Sequence, residues 1–239
     1  GRAELWWTQG VPAKDRGGAG SGGNKNKHCG CVGRASRCRE GEAMGKCFSV
    51  LIPNTYKLNC FIMGPAAVGK TMILYTLKLG EANTRNWNPT PAYNFEVNKQ
   101  TMSHGAKCEM HMWDLSGAPS NRALWPMYYN AVENANVMIF VVNANDRRQA
   151  ENCRGEFQRL VHESAFIHAQ KLVINNVHRP ADERMSKDDV YEVLGIDSLD
   201  HQTQEIDIIE MNASNYELVK DIEVKILNHF QMKLRGRAN

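Results

Sequence analysis

The chain has 239 residues, 42% hydrophobic and 23% charged, and its 29 Lys/Arg against 26 Asp/Glu give a net charge of +3. The excess lies in residues 1–43, where eight basic residues stand against four acidic ones; from Met44 onward 21 basic residues face 22 acidic ones. That balance leaves a nucleic-acid footprint over the whole chain unsupported, and no apolar run reaches the ~18 residues that span a bilayer or forms a secretory h-region.

Residues 1–43 hold ten of the nineteen glycines and read as a disordered Gly/Arg-rich tail before one globular domain of about 180–200 residues. His28, Cys29, Cys31 and Cys38 lie in this tail, but a C-x-C without a second proper pair is a poor zinc spacing, and disorder is the better reading. Cys47, Cys60, Cys108 and Cys153 are scattered, three of them inside apolar runs, as reduced packing cysteines are. The pattern changes at Met44, which reads as the natural start of translation with 1–43 upstream of it. There the chain runs Met-Gly-Lys-Cys-Phe-Ser, the M-G-x-x-x-[ST] pattern for myristoylation of Gly45, with Cys47 a candidate for palmitoylation. One acyl chain binds a bilayer marginally and two hold it stably, so residues 44–55 are expected to be a lipid-anchor segment. An internal Met44 would leave Gly45 without a free amine and remove that expectation.

Residues 56–63 are predicted as the first strand. Gly64-Pro-Ala-Ala-Val-Gly-Lys-Thr71 follows as a complete G-x-x-x-x-G-K-[ST] phosphate loop, and a helix over 70–79 opens at its end. The spacing builds an anion cradle: backbone N–H groups of Gly64, Ala67, Val68 and Gly69 turn toward α/β-phosphates at a helix N-terminus, Lys70 reaches the β/γ-phosphates, and Thr71 is placed to ligate Mg²⁺. Residues 94–100 and 106–115 are predicted as two strands across a turn near His104-Gly105. Val137 to Asn143 reads as a strand buried on both faces. A helix over 151–163, a strand over 171–175, a helix over 187–194, a strand over 206–211 and a helix over 216–234 complete the chain. The last helix carries Leu218, Val219, Ile222, Ile226 and Phe230 on one stripe. Strand alternating with helix predicts a three-layer α/β fold of the P-loop NTPase type, a mostly parallel six-stranded sheet with helices on both faces. No Ser-His-Asp, paired-carboxylate or zinc-protease spacing appears, and His162 and His168 read as surface residues.

The loop Gly64–Thr71, the run Ile73-Leu-Tyr-Thr-Leu-Lys-Leu-Gly-Glu81, Pro89-Thr90, Tyr93-Asn-Phe-Glu96, Trp113-Asp-Leu-Ser-Gly117, Arg122-Ala-Leu-Trp125, Phe140-Val-Val-Asn143 and Leu194-Gly195 together resemble the ADP-ribosylation-factor (Arf/Arf-like) small GTPases. Order and spacing hold from about Met44 to the C-terminus, and the Trp before the D-x-x-G aspartate, with the Met-Gly start, suits this family better than Ras or Rab types. The resemblance implies GTP or GDP as ligand, Mg²⁺ held by Thr71, Thr90 and Asp114, a γ-phosphate sensed by the Gly117 amide, and Ala213 of Asn212-Ala-Ser214 against the base. It also implies effectors, an exchange factor or a GAP at the switch loops, and a cytoplasmic protein on the surface of the Golgi or another endomembrane, acting in membrane trafficking.

Three departures qualify that expectation. The family's base-reading N-K-x-D aligns with Asn175-Asn176-Val177-His178, where an aspartate's two acceptors are replaced by an imidazole that accepts at most one hydrogen bond. Discrimination for guanine is then expected to fall by roughly a few kcal/mol. Ala118 stands where the family has the glutamine that orients the attacking water, so hydrolysis is expected to be negligible. Ala92 and Ser116 replace switch glycines and restrict loop rearrangement; residues 82–89 are about two longer than usual around Trp87 and Asn88. Two readings follow: a nucleotide-dependent switch with degenerate motifs, and an inert pseudo-GTPase that serves as an interaction module. An ATP-binding kinase or ATPase is a weak third.

Overall fold

The computed structural model describes residues 55–82, 88–103, 105–178, 184–199 and 205–236. Gly45, Cys47 and the tail cysteines lie outside them, as does Trp87.

Six strands form one sheet: β1 Thr55–Met63, β2 Tyr93–Thr101, β3 Lys107–Leu115, β4 Val137–Asn143, β5 Gln170–Asn176 and β6 Ile206–Met211, in the order β2-β3-β1-β4-β5-β6. All pairings are parallel except β2 with β3, which are antiparallel and share a nine-residue register from Tyr93↔Leu115 to Thr101↔Lys107. The fold expected from the strand–helix alternation is the one observed.

The pleat divides the side chains cleanly between two cores. Leu58, Cys60 and Ile62 of β1, Ile139 and Val141 of β4, and Leu172 and Ile174 of β5 pack against α1 (Lys70–Leu79) and α7 (Tyr216–Gly236). Phe61 and Met63, Phe140 and Val142, and Val173 face the opposite layer of α3 (Trp125–Tyr129), α4 (Arg147–Asn152), α5 (Arg154–Val161) and α6 (Lys187–Leu194). Cys60, Cys108 and Cys153 are buried free thiols, with burial pushing each one up.

Local chemistry sets the element ends. Helix α6 begins with a capping box between Ser186 and Asp189 and ends at Gly195 in the left-handed region. Asp146 caps α4 by accepting from the Gln149 amide. The single helix expected over 151–163 is instead two, starting four residues earlier, because Cys153 sits at φ −101°, ψ 0° and breaks the run. The short helices α2 (Pro119–Arg122) and α3, each with a proline in its first turn, carried no periodic signal long enough to predict. On α7, Val219, Ile222 and Ile226 are buried as expected, whereas Leu218 is 39% exposed.

Candidate functional site

A cavity of about 480 Å³ opens at the C-terminal edge of the parallel strands, where ligands of such sheets bind. Its floor is the loop between β1 and α1, including Ala66, Ala67, Val68 and Gly69, and its walls come from Thr90, Gly117 and His178. Ala67 is the only non-glycine residue with positive φ (61°) among those described, so the loop holds a conformation that costs about 1–2 kcal/mol for an L-residue. Gly69, at φ 95°, leads directly into α1, and an added Cβ there would collide with the Asn176 amide. The N-terminus of α1 opens onto the cavity, which Gly69, Lys70 and Thr71 line.

Lys70 is 6% exposed, and its Nζ donates to the carbonyls of Gly64 at 3.1 Å and Pro65 at 2.5 Å. Burial lowers its pKa to about 8, the nearby Asp114 carboxylate opposing that shift. Gly117 lies flat on the same loop, where a Cβ would strike the Pro65 carbonyl group and Gly64 O. Both obstacles are backbone, so Gly117→Ala must displace one strand-end loop from the other. The expected loss is about 1–3 kcal/mol of stability, a fall in Tm of several degrees in a thermal melt, with weaker phosphate binding.

The Thr71 hydroxyl donates to Asp114 Oδ2 at 2.6 Å and lies 3.0 Å from the Thr90 hydroxyl, which is itself 3.4 Å from Asp114 Oδ2. The structure thus brings together the three residues read as metal-side ligands, from α1, the loop before β2 and the end of β3. Asp114 is fully buried, and its Oδ1 has no hydrogen-bond partner among the described residues. Burial raises its pKa, opposed by the bonds from Thr71 and Asn94 and by the charge of Lys70. An orphaned carboxylate oxygen beside two hydroxyls is a hard-oxygen donor set, and it fits Mg²⁺.

Asn94 was not legible as a site residue, yet its amide donates to Asp114 Oδ2 at 2.9 Å and to Thr90 Oγ1 at 3.2 Å. Its place follows from the strand register, which sets Asn94 directly across from Asp114.

At the other end of the cavity the structure corrects one assignment. Asn175 and Asn176 are both buried, but successive strand residues face opposite layers. Asn175 points into the α6 layer, where its Nδ2 donates to Met185 O at 2.8 Å; it does not reach the cavity. Asn176 points to the phosphate loop: Nδ2 donates to Val68 O at 2.8 Å and Oδ1 accepts from the Ala213 amide at 2.9 Å. Those two bonds fix the amide's orientation, so Nδ2 also faces His178 Nε2, at 3.1 Å, as a donor. Burial lowers the His178 pKa, opposed by a hydrogen bond to the Val68 backbone. His178 lines the cavity, as do Ala118 and Asn88.

A profile of the ADP-ribosylation factor family matches residues 44–229. The chain belongs to the ADP-ribosylation factor family. That places it among GTP-binding switch proteins, whose members bind guanine nucleotides. A solved structure of the Arl6 (BBS3) small GTPase from Trypanosoma brucei, with the nucleotide analogue GppNp bound, is similar in fold: 20% identity, 72% of this chain and 96% of that one covered, TM-score 0.59. Within the ADP-ribosylation factor fold, the cavity floor of this chain is the phosphate loop. Among the described residues no helix is long and apolar enough to cross a membrane, and no group of three or more His, Cys, Asp or Glu residues is placed to hold a metal by itself.

Proposed function

We propose that this protein is a nucleotide-dependent switch that holds a guanine nucleotide with relaxed base selection and hydrolyses it slowly or not at all. The observation that carries the proposal is the convergence of Thr71, Thr90 and Asp114, with an Asp114 oxygen that has no partner among the described residues, beside the loop that floors the cavity. In this reading the amides of residues 64–69 and Lys70 bind the phosphates. Thr71, Thr90 and Asp114 hold Mg²⁺, which would screen phosphate charge, and the Gly117 amide meets the γ-phosphate. Lys70 has to exchange its two carbonyl partners for phosphate oxygens.

The base end is read one residue later than the sequence alignment placed it. Asn176 bridges Val68 and Ala213, so it takes the first position of the base-reading segment. Its amide hydrogens are both already used, by Val68 and His178, and a purine must displace His178 or bind without that contact. Ala118 offers only a methyl group to the cavity, which cannot orient water. Attachment to an endomembrane through acylated Gly45 and Cys47, a role in trafficking, and effectors that read the switch loops complete the proposal.

The fully used Asn176 amide also favours a second reading, a pseudo-GTPase that keeps the fold as an interaction module. A thermal-shift titration with GTP, GDP and ATP, each with and without Mg²⁺, separates the two. The switch reading predicts a Mg²⁺-dependent rise for GTP and GDP that follows RT ln(1 + [L]/Kd). Equal rises with ATP would show a phosphate site without base selection, and no rise with any nucleotide would leave only the interaction module.

A further inference from the structure

A second cavity, of about 220 Å³, lies at the opposite edge of the sheet, between the first residues of β4 and β5 and the last turns of α7. Leu58, Ile226 and Phe230 give it an apolar side. Its other side is a set of polar groups that the fold leaves unused. Gln170 is 8% exposed, shares its face of β5 with Leu172 and Ile174, and has a buried Oε1 without a partner among the described residues. Its Nε2 makes no hydrogen bond to a described residue either. Asn136 commits Oδ1 to the Asn59 amide at 2.8 Å, and its Nδ2 is left over. His168 and His229 line the cavity with rings that hydrogen-bond to no described residue. Lys233 completes this side, and the bond from its Nζ to His168 O at 2.7 Å holds the charge beside the cavity. On the other face of β5, burial and then the Lys233 charge hold the Lys171 ammonium below the usual lysine range. Positive charge gathers here, and no Asp or Glu among the described residues lines the cavity.

We propose that this cavity binds a small organic monocarboxylate, with its oxygens on the Gln170 and Asn136 amides and the Lys233 ammonium and its carbon chain against Leu58, Ile226 and Phe230. The class follows from what the walls offer. Amide, imidazole and ammonium N–H groups all donate, and a hydrogen bond to an ionised oxygen is stronger than one between neutral groups. One permanent cation balances one negative charge, so a phosphate dianion would be left undercompensated. A bare inorganic anion would leave the apolar side in contact with water. Size sets the chain length. The 220 Å³ falls below the ~300 Å³ at which drug-sized pockets begin and equals about seven waters of ~30 Å³ each, room for a carboxylate on about five carbons. The nucleotide cavity is at the other end of the strands, so this site is independent of the switch reading.

In the isotope-labelled full chain, without nucleotide and at constant ionic strength, hexanoate is titrated while NMR follows the side-chain amides of Gln170 and Asn136. They are expected to shift saturably with a Kd on the order of millimolar, a scale within reach of about eight non-hydrogen atoms. The backbone amides of Gly69 and Lys70 stay in place. Acetate lacks the chain and hexylammonium reverses the charge, and each is expected to bind at least about tenfold more weakly. Lys233→Met keeps most of the stem, removes the charge, and is expected to weaken hexanoate at least about tenfold. Gln170→Leu is expected to lose hexanoate while melting at the wild-type temperature or above it, because an amide with an orphaned oxygen gives way to an apolar side chain. That pair of readings tells loss of the site from loss of the fold. Equal shifts from hexanoate and hexylammonium would mean apolar adhesion alone and overturn the proposal. So would tighter binding of hexyl phosphate than of hexanoate, no shift up to about 50 mM hexanoate, or a Lys233→Met protein that binds it like the wild type.

Discussion

Lys70→Met is expected to lower the affinity for GTP and GDP by about 100-fold or more, since it removes a buried charged partner of the phosphates, while raising the thermal stability of the nucleotide-free protein. The two effects have one cause. Lys70 is almost fully buried, and its ammonium is compensated by two carbonyls and a carboxylate that is itself partly neutralised by other donors. Without ligand the charge is a burden, and an apolar side chain of similar volume is tolerated better. With a phosphate in the cavity the same charge becomes the main attraction. A variant that binds worse and melts higher cannot be explained by misfolding.

The pH dependence follows from the same group. Its folded-state pKa is lowered from 10.5 to about 8, so between those values the unfolded chain binds the proton and the folded one does not. This group therefore contributes to stability as pH rises from about 8 to 10.5, and its cost is fully present below 8. For binding the sign is opposite. A phosphate beside Lys70 keeps it protonated, so above pH 8 binding takes up a proton and affinity falls by up to about tenfold per pH unit. Titrations from pH 7 to 9.5 are expected to show a plateau and then this decline in the wild type, and no decline from this source in Lys70→Met.

The second large effect is expected at Asp114. Asp114→Asn should abolish the Mg²⁺-dependent part of nucleotide affinity, because the only buried carboxylate beside Thr71 and Thr90 among the described residues is lost. The nucleotide-free protein should become more stable at neutral pH. Burial raises the pKa of Asp114, so over the window above the ordinary carboxylate value the folded state holds a proton that the unfolded state has lost. Stability from this group is then greatest at low pH and declines as pH rises through the raised value. Removing that burden is expected to shift Tm upward. A thermal melt of Asp114→Asn with and without Mg²⁺ checks both parts. A metal response equal to that of the wild type would refute the assignment of Asp114 to the metal side.

The phosphate loop was legible because its chemistry is local: eight consecutive residues fix the turn, the charge and the hydroxyl, and the apolar runs on either side fix strand and helix. The alternation of those runs also carried the fold class and the family. Cys153, Leu218 and the two short helices after β3 were less legible. In these places a single φ/ψ excursion or a few turn residues override a pattern that needs ten or more residues to declare itself.

The base end and the metal side show where sequence stops. Asn175 and Asn176 are adjacent and chemically identical, and only the pairing of β5 with β4 and β6 determines which of them faces the phosphate loop. Asn94 gave no sign of function in the chain; the antiparallel register of β2 on β3 sets it opposite Asp114, 20 positions away. The order of residue types along the chain is enough for the phosphate-loop motif and the three-layer fold, and it supplies the hydroxyls and the carboxylate that Thr71, Thr90 and Asp114 bring together. The tertiary structure decided which asparagine reaches the site and what holds the switch threonine. A strand's pleat gives each residue a side of the sheet only once its neighbours have fixed the register.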